Sequence, residues 1–327
     1  MAKIIGRRLS IGIAKEAVRG TALDPTYWLP KMELTQDDKI EQIVDESSVG
    51  VIEDAQNADV VLKSSDGELK GRINDTSFGL WILSALGTEA APALVETGVY
   101  DHAFSVSQSA QHPSLTVSVS EANAGVGLRF ALSMVDSLEM NVELARYAEY
   151  TAKFRGNTSA VDSVTPSYTA ENIFLPQHGE LKLATSLAGL DAASAISIKK
   201  FTLTISKNLE DDQVIGNVNA SDRLNKQFMV EGSMELLYED RTFIDTLLVG
   251  DAARALRIRL TNSAVTIGAT SNPRLTIELA KVKISEVARS QGNNDIIRQT
   301  VNFKGFYSLT DAKMITAVLR NTLSAAY

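Results

Sequence analysis

The sequence predicts a mainly β fold with flanking helices: two tandem β-sandwich or barrel modules, each with one α-helix, plus a C-terminal helix. Three observations carry that expectation. Apolar and polar residues alternate with a period of two over many short segments, as in a sheet with one buried face. Three segment pairs recur in the same order in the two halves. Each half also holds one short stretch of helical periodicity at the corresponding place.

The alternation is clearest where Leu138, Met140, Val142 and Leu144 interleave with Glu139, Asn141, Glu143 and Ala145. Phe201, Leu203 and Ile205 interleave with Lys200, Thr202 and Thr204 in the same way, and Leu275, Ile277 and Leu279 with Thr276 and Glu278. Ile258 and Leu260 follow Arg257 and Arg259. The recurring segments are Lys31–Thr35 with Lys200–Thr204, Pro113–Val119 with Pro273–Leu279, and Tyr150–Gly156 with Gln299–Gly305. Gly71 and Gly232 occupy matching strands upstream of the two helical stretches. In the first stretch Asp75-Thr76-Ser77 offers capping oxygens, Phe78, Trp81, Ile82 and Ala85 form a face, and Gly87 ends it. In the second, Glu239-Asp240 precedes Phe243, Ile244, Leu247 and Leu248, and Gly250 ends it.

These elements divide the chain into residues 1–156 (an N-terminal arm and the first module), a Ser/Thr/Asn/Pro-rich linker at 157–179, a second module at 180–307, and 308–327. In the last segment Met314, Ile315, Val318, Leu319 and Leu323 make a helical stripe. Residues 36–66 carry many carboxylates with strand-like apolar spacing, which predicts a long hairpin reaching out of the first module. Residues 206–227, a second acidic stretch, predict a long loop at the same place in the second module.

Composition excludes several functions. The chain has 327 residues and a net charge of −8, with no cysteine. An acidic chain is a poor phosphate-gripping surface. Without thiols there is no disulfide, thiolate metal site or cysteine nucleophile. No segment approaches the roughly 20 apolar residues of a membrane span. The pair Arg7-Arg8 opens an apolar run that Lys15 and Glu16 cut short, so it does not read as an export signal. His102, His112 and His178 have no metal-ligand spacing and read as surface or interface residues. Gly125-Val126-Gly127 lacks the third glycine of a dinucleotide fingerprint and reads as a turn or loop. No nucleophile elbow or phosphate loop is present, so neither enzyme activity nor a cofactor is expected. The acidic pairs read as solvated loop charge, since the spacing of a calcium loop is absent.

The stretch Ile11-Gly12-Ile13-Ala14-Lys15-Glu16, continuing through Gly20-Thr21-Ala22 to Pro25 and Trp28-Leu29-Pro30, resembles the start of the tail tube (major tail) proteins of long-tailed bacteriophages. His102-Ala103-Phe104 followed by Pro113–Val117, and the glycine-bearing strand before the first helix, are similar to segments of that family. The second half lacks a Gly-Thr-Ala stretch of its own. The resemblance implies a virion protein made in the host cytoplasm, whose copies form rings stacked helically into a tube. DNA passes through such a tube during ejection without specific binding. Two modules per chain imply homotrimeric rings with pseudo-sixfold symmetry, with a hexamer as the alternative. Implied partners are the chain's own copies, the tail terminator, the tape measure and the baseplate or tip proteins, and no membrane. On this reading Glu139, Asn141, Glu143, Thr276 and Glu278 are candidates for an acidic lumen wall. Asp45, Glu46, Glu53, Asp54, Asp59, Asp211 and Asp212 are candidates for contacts between stacked rings. The alternatives are a ring or tube component of a secretion-type system, a virion decoration protein, or a non-catalytic β-sandwich binding module.

Overall fold

The computed structural model describes residues 3, 5–121 and 126–327; Gly125 lies outside the described residues, and Val126 and Gly127 begin a strand. The central feature is an antiparallel sheet of eight strands. Its order is Lys31–Asp45, Asn57–Arg72, Glu149–Gly156, Val126–Glu143, Ile198–Ser206, Met229–Leu237, Arg298–Phe306 and Arg274–Ser290. The first four strands come from the first half of the chain and the last four from the second. Within each half the order of pairing is the same.

The two longest strands, Val126–Glu143 and Arg274–Ser290, each serve two sheets. The C-terminal part of Val126–Glu143 lies in the eight-stranded sheet, while its N-terminal part pairs with Leu115–Glu121, which pairs with Leu9–Lys15 and then Tyr27–Leu29. Arg274–Ser290 does likewise with Arg254–Thr261, Gly179–Ala184 and Ala195–Ile196. A β-bulge accompanies each change of sheet. Asp136 is the extra residue opposite Lys153 and Phe154, and Ser285 is the extra residue opposite Asn302 and Phe303. Such bulges bend a strand and sharpen its twist, which lets one strand leave a sheet for another.

These equivalent bulges set the correspondence between the halves. Tyr150–Gly156 and Gln299–Gly305 correspond as the sequence indicates. The other matches shift. Glu33, not Lys31, is the counterpart of Lys200, since each follows a bulge and faces the equivalent residues Lys70 and Glu235. Pro113–Val119 does not correspond to Pro273–Leu279. The counterpart of strand Leu115–Glu121 is Arg254–Thr261, each paired with the N-terminal part of its half's long strand. Gly232 corresponds to Gly67, not Gly71. Gly67 lies opposite Phe154 and Gly232 opposite Phe303, and each ring covers its glycine so closely that a Cβ would fall 2.3 Å and 2.5 Å from it.

The first helix, Phe78–Leu86, forms as predicted and ends at Gly87 with φ of 97°. Its cap comes from elsewhere than the sequence indicates. Asn74 Oδ1 accepts from the Thr76 and Phe78 amides, and Glu171 accepts from Ser77, while Asp75 is held by Asn172. All nine helical residues are buried, and Trp81 and Phe78 pack on Tyr150 and Phe154. The second helical segment, Phe243–Val249, is a π-helix and not an α-helix. The Gly250 amide bonds back five residues to Asp245, and only Leu247 is buried, so little packing holds it to α geometry.

The expected C-terminal helix is a strand, Ile315–Asn321. It fills the gap between Val99–Val106 of the first half and Leu275–Leu279 of the second. Ile315, Ala317, Leu319 and Asn321 are buried in strict alternation. Its apolar residues fit both periods, and two open ladders decide for the strand. The 36–66 hairpin is present as Lys31–Asp45 with Asn57–Arg72. Residues 206–227 do not reach out. They fold back as the small hairpin Leu209–Asp212 with Asp222–Asn225, anchored by the fully buried Arg223, which donates to the carbonyls of Leu132 and Gly156.

Phe303 and the Thr202 carbonyl leave no room beside Gly232. Gly232→Val is therefore expected to cost about 1–3 kcal/mol through overpacking, read as a lower urea midpoint with unchanged slope.

Candidate functional site

The sheet's two faces divide cleanly. One carries Leu138, Met140, Ala152, Leu203, Met234 and Phe303, all buried in the core. The other carries charged and hydroxyl side chains from every strand. Directly opposite residues share a face, so Glu139 lies between Thr151 and Thr204, Asn141 between Glu149 and Thr202, and Glu143 beside Lys200. Glu139, Asn141 and Glu143 thus share this polar face.

The face is not a uniformly acidic strip. Most of its cations sit against carboxylates: Lys70 on Glu149 at 3.2 Å, Lys200 on Glu143 at 3.3 Å, Lys304 on Glu231 at 3.0 Å and Arg298 on Glu235 at 3.0 Å, while Arg72 lies over the Tyr147 ring. Arg155 pairs with Asp66 at 3.2 Å. Such exposed pairs add little stability. Their effect is to leave few unoccupied cations on the surface. Glu139 is exposed, with threonines on both flanks.

Thr276 and Glu278 do not join this group. They lie on the part of their strand that pairs with Arg254–Thr261 and Ile315–Asn321, opposite Arg259 and Arg257. Glu278 accepts from Arg257 Nε at 2.7 Å, and Arg257 also holds Asp191. By the internal repeat they correspond to Gly127 and Arg129. No sequence pattern separates the two groups, because the bulge that divides them has no distinctive residue.

The hairpin tip between Asp45 and Asn57 projects beyond the sheet. The Ser47 side chain and then its amide, 3.0 Å away, hold the Asp45 carboxyl below the usual range. Glu46, Glu53, Asp54 and Asp59 are exposed. So are Val49, Val51 and Ile52, the last fully. Apolar residues exposed together on a projecting hairpin are unusual on a protein surface that meets only water. Asp211, by contrast, is engaged inside the chain, 3.0 Å from Arg223 and 3.6 Å from Arg155. Asp212 is exposed beside it.

A family profile described as phage tail tube protein matches residues 6–305. The chain belongs to that family. Comparison with curated proteins finds no match. The role of a tail tube protein is structural, in the tail of the virion.

In this tail tube protein the N-terminal motif is a packing device. Gly12 lies under Pro25 and Trp28, where a Cβ would come within 2.6 Å of the proline ring. Glu16 is buried and accepts from the Gly20 amide, Ser114 Oγ, Thr116 Oγ1 and the Leu132 amide. Leu132 has a φ of 50°, so Glu16 satisfies the donor of a strained position on the long strand.

Two of the histidines are buried and not at the surface. His102 lies between Glu89 and the Leu323 carbonyl, 2.8 and 3.0 Å away, against the ring of Tyr327. His112 faces the Ser107 carbonyl. Lys207, fully buried, donates to the Ser84 carbonyl at the end of the helix, and burial pulls its ammonium down to about 7. Among the described residues no group of three or more His, Asp or Glu is placed to hold a metal ion. A surface cavity of about 560 Å³ between Ser105–Ala110 and Asn225–Phe228 has lysines but no carboxylate or histidine among its lining residues.

Burial, then the neighbouring Lys207, lowers the His112 imidazole from 6.5 to about 4. The unfolded chain binds that proton more tightly, so folding stability falls as pH drops from 6.5 towards 4. We expect a loss of at most about 3 kcal/mol from this group. His112→Gln should flatten that part of the stability–pH curve, measured by urea unfolding at pH 6.5 and 4.5.

Proposed function

We propose that the chain is the repeating subunit of the tail tube and that three copies close each ring with pseudo-sixfold symmetry. The observation that carries this reading is the continuous eight-stranded sheet, built from two repeats of four strands and open at both ends. An open edge is a liability unless paired, and copies joined edge to edge in a ring remove it by closure. Three chains then supply twenty-four strands to one barrel, and its polar face, with Glu139, Asn141 and Glu143, lines the channel.

On this reading most lysines and arginines of the channel wall are occupied by carboxylates; the exceptions include Lys39 on the edge strand and Arg72, which lies over the Tyr147 ring. DNA meets few free cations, so its phosphates have little to grip and it slides without specific binding. The long hairpin carries the contacts between stacked rings, through Glu46, Glu53, Asp54 and the exposed Val49, Val51 and Ile52. The tail terminator, tape measure and baseplate or tip proteins would meet the tube's ends and interior. The subunit is made in the host cytoplasm and ends in the virion tail.

Negative-stain electron microscopy of the concentrated protein tests the reading. Stacked rings with an open centre and threefold top views are expected, and a strictly monomeric protein would overturn it. Deleting Glu46 to Gln56 should leave folded protein that closes rings and does not stack them. Replacing Glu139 and Glu143 by Lys adds cations to the wall and frees Lys200. We expect assembled tails with ejection slowed at least severalfold, measured as DNA release from triggered particles. Normal ejection would remove these residues from the channel wall.

A further inference from the structure

The internal repeat contains a joint between its two halves, and that joint has an unfilled counterpart at the sheet's outer edges. Inside the chain, the C-terminal part of Val126–Glu143 pairs with Ile198–Ser206, with Ser137 opposite Ser206, Glu139 opposite Thr204 and Asn141 opposite Thr202. The Lys207 amide donates to the Asp136 carbonyl, and the Leu144 amide to the Lys199 carbonyl. These bonds place the three named pairs at the non-hydrogen-bonded positions, where side chains approach most closely.

At the edges stand the counterparts of those two strands. Lys31–Asp45 corresponds to Ile198–Ser206 and, among the described residues, pairs only with Asn57–Arg72. The C-terminal part of Arg274–Ser290 corresponds to the C-terminal part of Val126–Glu143 and pairs only with Arg298–Phe306. On the core face exposure follows pairing: Leu138, Met140 and Ile205 are buried at the internal joint, whereas of their counterparts at the edges Val287 is half-buried and Arg289 and Asp38 are exposed. Gln36, the counterpart of Leu203, has both amide atoms shielded from solvent without a hydrogen-bond partner.

We propose that the outer edges form the same joint between neighbouring copies, in the register the internal joint dictates. Strand Lys31–Asp45 of one copy then pairs antiparallel with 281–290 of the next, with Thr35 opposite Ser290, Asp37 opposite Ala288 and Lys39 opposite Glu286. The occupant is a second copy of this chain, because both halves of the joint exist on every chain and their order repeats that of the filled one. The register also places opposite charges face to face at Lys39 and Glu286. A slip of two residues would put Lys39 opposite Ala288 or Ile284. The inference rests on the tube reading and adds which atoms meet.

The chain has no cysteine, so two introduced thiols report this contact without background. Cα atoms in a non-hydrogen-bonded antiparallel pair lie about 4.5 Å apart, within disulfide reach. Asp37→Cys with Ala288→Cys should cross-link on mild oxidation of assembled protein, giving a ladder that ends at the closed ring. Asp37→Cys with Ser290→Cys, and Asp37→Cys with Glu286→Cys, should cross-link at least tenfold more slowly. Faster linkage of either slipped pair in visible rings would overturn the register and leave the tube reading standing. Rings in which none of the three pairs links would overturn the edge joint itself. Failure of the unmodified chain to form rings would overturn both. A charge exchange reads the same contact without thiols. Lys39→Glu should raise the protein concentration needed for assembly about tenfold, and adding Glu286→Lys should restore it. A single variant that assembles like the original, or no restoration by the second change, would place Lys39 and Glu286 apart.

Discussion

The architecture depends on one constraint: a single strand in each half must belong to two sheets. Bulges at Asp136 and Ser285 meet it. Before the bulge each long strand holds the sheet that encloses its half, and after it the strand joins the eight-stranded sheet. Without the bend, the alternation of apolar and polar residues would bury one sheet's core face and expose the other's. The first copy reinforces this region with Glu16, whose carboxylate occupies the amide of Leu132, and with Asp136, whose carbonyl takes the Lys207 amide. The N-terminal motif, the bend and the joint between the halves are thus one connected structure.

Around that frame, one buried and one half-buried arginine fix segments that would otherwise be loops. Arg223 is enclosed by the carbonyls of Leu132 and Gly156, the Asn157 side chain and Asp211. Arg19 reaches across from the N-terminal arm to Asp222 and to the Arg223 carbonyl. A buried charge costs several kcal/mol unless its neighbours satisfy it, so these contacts hold the acidic segment 206–227 inward. The segment 36–66 has no such cation and projects. Two stretches of similar composition therefore adopt opposite dispositions.

The strands were legible because their alternation reflects burial directly. Leu138–Val142, Phe201–Ile205 and Leu275–Leu279 show it without ambiguity. The first helix was legible from Trp81, Ile82 and Gly87, although its cap, Asn74 with Glu171, spans 97 residues and leaves no local signature. The duplication was visible, but its register was not. A slip of two residues preserves the apolar pattern, so Lys31 imitates Glu33, and only the bulges distinguish them. Segment 308–327 misleads for a physical reason: Ile315, Val318 and Leu319 satisfy a helix and a strand equally, and partners far away in sequence decide. The polar face was readable one strand at a time. That its charges are paired depends on which strands are neighbours, and the duplicated order determines that.

Strand Ile315–Asn321 has a further consequence, in the timing of synthesis. Its Arg320 grips Asp101 across 219 residues of sequence, and Tyr327 sets its ring over Gly79 at the start of the helix, with its hydroxyl on the Thr76 carbonyl. During translation, Val99–Val106 emerges early and waits with one side of its ladder vacant until the final strand leaves the ribosome. Pairings of such long range form slowly. A nascent chain is thus an incomplete barrel for most of its birth, and a crowd of them on one message holds matching vacancies side by side.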